Sequence, residues 1–293
     1  MSSAAAASPV VSAPGLAHAR RPSTLAVLRW ELRKLVSQKR TYLGFALAVI
    51  LPVIFVVVEN LHHRHVHGGG SIFASEITQS GLATPVLMLL FLSAFMLPLI
   101  AALVAGDIVA NEDGNGTLKT ILTRSVDRGQ VFAAKAIAAM IYAAIAVFLS
   151  AAVATAAGVA SWGFNSIRTL SGTVVLAPKG LLLVFAANTV YLIPMLAVVS
   201  IGVLLSTATR NSAAAVVGTI GLVILLYIVS GIPGLEGIHP YLLTEQFQGW
   251  QGLLRTPTDW APIWHSAWVC ALYAVPALFA AYLVFLRRDV AGG

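Results

Sequence analysis

The stretch Ala136–Ile167, AIAAMIYAAIAVFLSAAVATAAGVASWGFNSI, contains no Lys, Arg, Asp or Glu. A helix needs roughly 20 residues to cross about 30 Å of hydrocarbon, and this run is long enough to do so. Other charge-free runs are Thr41–Val58, Ile77–Gly106, Gly180–Thr209, Asn211–Leu235 and Trp260–Leu286. One strong charge at the centre of such a helix would cost roughly 2.5–3.5 kcal/mol on insertion scales, so the exclusion of charge from every run is a signature of lipid. The expected fold class is all-α integral membrane, with six transmembrane helices. They are expected at about residues 41–59, 82–106, 133–160, 180–206, 212–232 and 262–286, within one domain spanning 24–290. Pro52, Pro85, Pro98, Pro194 and Pro276 fall inside the runs and predict kinks, since neighbouring helices can satisfy the carbonyls that proline frees.

Composition supports the same conclusion. Hydrophobic residues make up 58% of the chain and charged residues 10%, against roughly 25% charged in a soluble domain. A water-soluble fold would lack polar surface to cover itself. The lone cysteine, Cys270, lies within a run, which excludes an intrachain disulfide and a thiol cluster for zinc or iron–sulfur chemistry.

The net charge of +7 does not indicate nucleic acid, because the basic residues lie in the segments between runs. Arg20, Arg21, Arg29, Arg33, Lys34, Lys39 and Arg40 precede the first run. Lys119, Arg124, Arg128 and Lys135 follow the second, and Arg210, Arg287 and Arg288 complete fourteen of the 18 on one side. Arg64, Arg168, Lys179 and Arg255 remain for the other side. The positive-inside rule then puts both termini in the cytoplasm, as an even number of spans requires. Residues 1–23, rich in Ala, Ser and Pro, are expected to be a disordered leader rather than a signal peptide, since the apolar run starts well after Arg20-Arg21.

Three segments do more than cross. In the expected interfacial helix 24–38, Leu25, Leu28, Leu32, Leu35 and Val36 recur at helical spacing, with Arg29, Glu31, Arg33 and Lys34 on the rest of the wheel. This predicts an amphipathic helix on the cytoplasmic membrane surface. It would anchor to lipid, or also take force from a partner. The second segment, Asp107–Lys135, is longer than the roughly 2–8 residues that commonly join helices. Gly114-Asn115-Gly116 breaks a helix there, Thr117 caps a short new one with Leu118, Ile121 and Leu122 on its apolar face, and Asp127 opens the next helix, with Lys135 at the membrane surface. The third, Ile232–Pro262, carries Tyr241, Phe247, Trp250 and Trp260, with Trp264 just beyond. Tyr241–Leu254 is compatible with a short outer helix, as an aromatic belt or as a lid.

The pattern Glu112-x-x-x-Gly116-Thr117-Leu118-x-x-Ile121-Leu122, followed by Arg128 and Lys135, resembles the cytoplasmic signature of bacterial type 2 ABC exporter permeases. The resemblance extends more loosely over residues 25–290, and Ser125 stands where that family often has proline. It implies that residues 116–123 form a coupling helix seated in a groove of an ABC ATPase (nucleotide-binding) subunit. Leu28, Arg29, Leu32, Arg33 and Leu35 would belong to a connecting helix pressed by the same subunit. It further implies a transport subunit of the bacterial cell (inner) membrane, not itself an enzyme. A second copy or a related permease would be its partner, with ATP and Mg held by the ATPase and no cofactor on this chain.

Two properties of the chain are compatible with that. No Gly-x-x-x-x-Gly-Lys-Ser/Thr loop occurs, which removes that route to ATP. Within the runs there is no relay of carboxylates, lysines or histidines for ion coupling; Glu59 and Asp107 sit at run ends and His265 near the start of the last. The rival class is a membrane-embedded enzyme or metal-handling protein using His62, His63, His65 and His67, whose imidazoles could hold copper, nickel or zinc, although a Gly-flanked loop preorganises nothing. Asn188 is expected to hydrogen-bond between helices rather than to bind substrate, although a polar group facing a central cavity would serve either purpose, and the Ala139/Ala143 and Ala154/Gly158 repeats permit close helix contact. The substrate is not legible at this level.

Overall fold

The computed structural model describes residues 23–65, 79–92, 94–114 and 127–287. Its helices are α1 (Thr24–Val36), α2 (Lys39–His65), α3 (Ala83–Leu92), α4 (Met96–Ala105), α5 (Ala110–Gly114), α6 (Arg128–Trp162), α7 (Ala177–Thr209), α8 (Ser212–Ser230) and α9 (Ala261–Leu286). A two-stranded hairpin joins α6 to α7, with Ile167 opposite Val175 and Arg168 opposite Val174. Two 3-10 helices, His239–Tyr241 and Glu245–Leu254, precede α9.

Five helices, α2 and α6 to α9, are long and apolar enough to cross a membrane, and the count is six if the bent pair α3–α4 is one span. The chain is a multi-pass, all-α membrane protein. The span expected over 82–106, with a kink predicted at Pro98, is two helices meeting at 68°. Phe95 offers no side-chain cap to α4, and Pro98 sits in its first turn, where the missing N–H has no intrahelical partner to lose. Pro52, Pro194 and Pro276 stay inside unbroken helices.

Helix starts follow local chemistry. The side chains of Ser23, Asp127 and Asn211 accept from the backbone N–H groups of Ala26, Gly129 and Ala214 at the starts of α1, α6 and α8. Helices α6 and α7 are central: α1, α2, α3 and α4 pack on α6, while α4, α8, α9 and the longer 3-10 helix pack on α7. Close packing rests on small residues. A side chain at Gly158 of α6 would collide with the backbone of Gly81, and one at Gly202 of α7 would lie 2.8 Å from the Ala105 Cβ. The Ala154/Gly158 repeat therefore does mark a contact, made by Gly158 with the turn that opens α3.

The two ends of the bundle differ. One, the charged end, gathers α1, α5 and the ends of α6, α7, α8 and α9. The other, the capped end, carries the hairpin and the 3-10 helices. There the expected helix over 241–254 is 3-10 in form, whose three-residue period stacks Phe247, Trp250 and Leu253 on one face. All three are buried, while Tyr241, Trp260 and Trp264 are exposed. The aromatic segment thus divides into a plug and a rim. Phe247 packs on Tyr191 of α7 with ring centroids 6.0 Å apart. Leu254 O and Ser171 Oγ accept from the N–H groups of Leu170 and Thr256, which fastens the plug to the hairpin.

Candidate functional site

At the charged end, α1 lies against α6. Leu35 is buried and Leu28 and Leu32 are partly so, whereas Leu25 and Val36 are exposed at 75% and 60%. Arg29 and Arg33 are exposed, as expected. Glu31 is not: it lies three residues after Leu28 and four before Leu35, on their face, and is 1% exposed. Packing against α6, rather than lipid alone, therefore covers part of the apolar stripe and takes an acid in with it.

The partner of that acid is Lys135 of α6, expected at the membrane surface and found fully buried. Its Nζ lies 2.9 Å from Glu31 Oε1 and 2.7 Å from Glu112 Oε1. It also donates to Ile108 O at 3.4 Å. Glu112, in α5, pairs in addition with Lys34 of α1. Beside this group, Asp107 Oδ1 accepts from Arg40 Nη1 of α2 and from Ser212 Oγ of α8. Three carboxylates thus meet three cations, with Glu31, Glu112, Asp107 and Lys135 each at most 3% exposed.

Neighbouring contacts hold the same end. Ser206 Oγ of α7 accepts from the N–H groups of Val109 and Ala110 at the start of α5. Arg128 Nη1 donates to Leu286 O, 3.1 Å away, tying the start of α6 to the last turn of α9. Arg210, at the α7–α8 corner with φ 55°, approaches Asp113 at 3.6 Å.

Desolvation makes such a cluster a source of positional specificity more than of net stability, and removing one member is far costlier than removing all. What the cluster can do is fix α1, α5 and α6 to one another. Burial, and then the Lys135 ammonium, lower the Lys34 pKa to about 8 against the opposing pull of Glu31 and Asp107.

Among the residues singled out from sequence, Glu112 and Arg128 flank the 115–126 connection, while Gly116, Thr117, Leu118, Ile121 and Leu122 lie outside the described residues. His62, His63 and His65 belong to the last turn of α2 rather than to a loop, and His67 lies outside the described residues. Asn188 does not bridge helices; its Nδ2 donates to Val184 O one turn back, at 2.8 Å. Glu31, Lys34, Arg40 and Lys135 were not expected to form a site. The position of Glu31 inside the leucine stripe was the available signal, because an acid there needs a partner.

No curated protein matches the chain. A family model described as "Protein of unknown function (DUF2705)" matches residues 45–291, from within α2 to beyond the end of α9. With that match extending over most of its length, the chain belongs to the DUF2705 family.

Proposed function

We propose that this chain is the transmembrane subunit of an ABC-type exporter in the bacterial cell membrane. It would cross six times, with α3 and α4 together as the second span and both termini in the cytoplasm. Residues 116–123 would dock on a separate ATPase, and α1 would be the connecting helix touched by the same subunit. Two copies, or this chain with a related permease, would enclose the path.

The observation that carries this reading is the sharing of Lys135 by Glu31 and Glu112. Glu112 stands just before the 115–126 connection and Glu31 is on α1, so a push on either reaches the same point of α6. The excess of basic residues at this end supports its cytoplasmic placement.

The test is to purify the chain with the ABC ATPase that co-precipitates with it and to measure ATP hydrolysis and export together. Leu118→Glu and Ile121→Glu are expected to uncouple hydrolysis from export, while Arg255→Ala at the capped end leaves both intact. Failure to recover any ATPase subunit, or export that survives its loss, overturns the reading.

A further inference from the structure

In the half of the bundle nearer the capped end, α6 and α7 flank a cleft of about 600 Å³, within the roughly 300–1,000 Å³ typical of small-molecule sites. Phe148, Ala152, Ala156 and Val159 of α6 face Leu181 and Phe185 of α7 across it. Its mouth is on the outside of the bundle, where Leu181 is 42% and Phe185 60% exposed. Both helices are membrane-crossing, so the mouth faces hydrocarbon rather than water. Phe148 and Phe185 stack at 5.3 Å across one end, and Val159 lies toward the capped end.

Two polar side chains interrupt this lining: Thr155 of α6, whose hydroxyl donates to Ala151 O at 2.7 Å, and Asn188 of α7. Asn188 faces the cleft and is 2% exposed. It also lines a small void shared with Pro85, Met88 and Leu97 beside the α3–α4 bend. Its Nδ2 is used by Val184 O, while among the described residues no donor reaches its Oδ1. Asn188 is eleven residues past the start of α7, about 16 Å down the helix and so near mid-membrane. A bare amide oxygen at that depth is costly, and surrounding acyl chains offer it nothing.

The geometry points to a lateral binding site for a slender apolar molecule with a single hydrogen-bond donor, entering from the bilayer and giving that donor to Asn188 Oδ1. Its hydrocarbon part lies along the alanine wall of α6. The phenyl pair bounds one end of the cleft, and Asn188 selects against molecules of the same shape that lack a donor. This inference does not depend on any ATPase.

The full chain in lipid nanodiscs is photolabelled with a diazirine-bearing hexadecanol, and the labelled residues are mapped by mass spectrometry. The expected result is saturable labelling on α6 and α7 between Phe148 and Val159 and between Leu181 and Asn188. Unlabelled hexadecanol should compete, and its methyl ether, which lacks the donor, should not. Asn188→Leu is expected to weaken labelling roughly three- to tenfold, the range of a hydrogen bond in a membrane. Ala152→Trp, which fills the cleft and keeps every polar group, abolishes it, so the test survives if the Asn188 variant fails to fold. Labelling spread evenly over the lipid-facing helices, equal competition by the ether, or labelling unchanged in Ala152→Trp would overturn the proposal.

Discussion

Lys135 Nζ stands 2.7 Å from Glu112 Oε1, which joins the interior of the longest helix to the last described turn before the 115–126 connection. The same ammonium reaches Glu31 of α1 at 2.9 Å. One fully buried cation thus organises elements that are distant in the chain.

Replacing that cation should be severe. Lys135→Met leaves two buried carboxylates short of their shared counter-charge, a defect that costs about 3–5 kcal/mol. Thermal unfolding in detergent should show a large drop for the single variant. The triple variant Lys135→Met, Glu31→Gln, Glu112→Gln should recover much of the loss, and additive losses would contradict the ion-paired arrangement.

Lys34 should titrate early. Burial, with the Lys135 charge next to it, brings its pKa to about 8 from the ordinary 10.5. Acylation of its amine, followed by mass spectrometry across pH, should have a midpoint near 8. Lys135→Met should move that midpoint up, since it removes a repelling charge. Because the native state holds this proton less tightly than the unfolded chain, the cost of keeping Lys34 charged is full below pH about 8. It is relieved as the pH rises towards 10.5, so this group favours the native state with increasing pH over that window.

The contact between Gly158 and Gly81 should tolerate no side chain. Gly158→Val puts methyl groups where the Gly81 backbone and Thr84 already lie, and overpacking of this kind costs about 1–3 kcal/mol. Gly221→Val, which meets nothing within 4 Å, is the control and should melt like the parent.

The capped end should depend on its buried aromatics. Phe247→Ala or Trp250→Ala removes a ring that is at most 2% exposed, a change worth about 3–5 kcal/mol in a core. Limited proteolysis should then cleave within 239–258 while the long helices stay intact. Trp264→Ala, on the 71% exposed rim, should leave cleavage unchanged.

The histidines near the end of α2 separate the transport reading from its rival. Replacing His62, His63, His65 and His67 together by alanine should leave export unaltered. Loss of activity in that variant, restored by added copper, nickel or zinc, would favour a metal-handling role.

Several of these features were legible before any fold was known. The runs that became α2, α6, α7, α8 and α9 were marked by the absence of charge, and Asp127 was visible as helix punctuation. In the second run Pro98 announced a kink, but hydropathy, which registers that residues 82–106 are apolar throughout, does not tell a kink from a full break with a new helix starting at Met96. Tyr241–Leu254 misled in part, since its period-three burial is set by docking on α7 and α9.

That the protein crosses a membrane is legible along the chain, because the cost of a charge in hydrocarbon is a local property that each run either avoids or does not. Which charges leave water is set by packing. Glu31, Glu112 and Lys135 are ordinary surface-type residues when read singly, and burial becomes tolerable only when packing of α1 and α5 on α6 brings them within about 3 Å of one another. Pairing of that kind depends on distance through space, which no local pattern along the chain encodes.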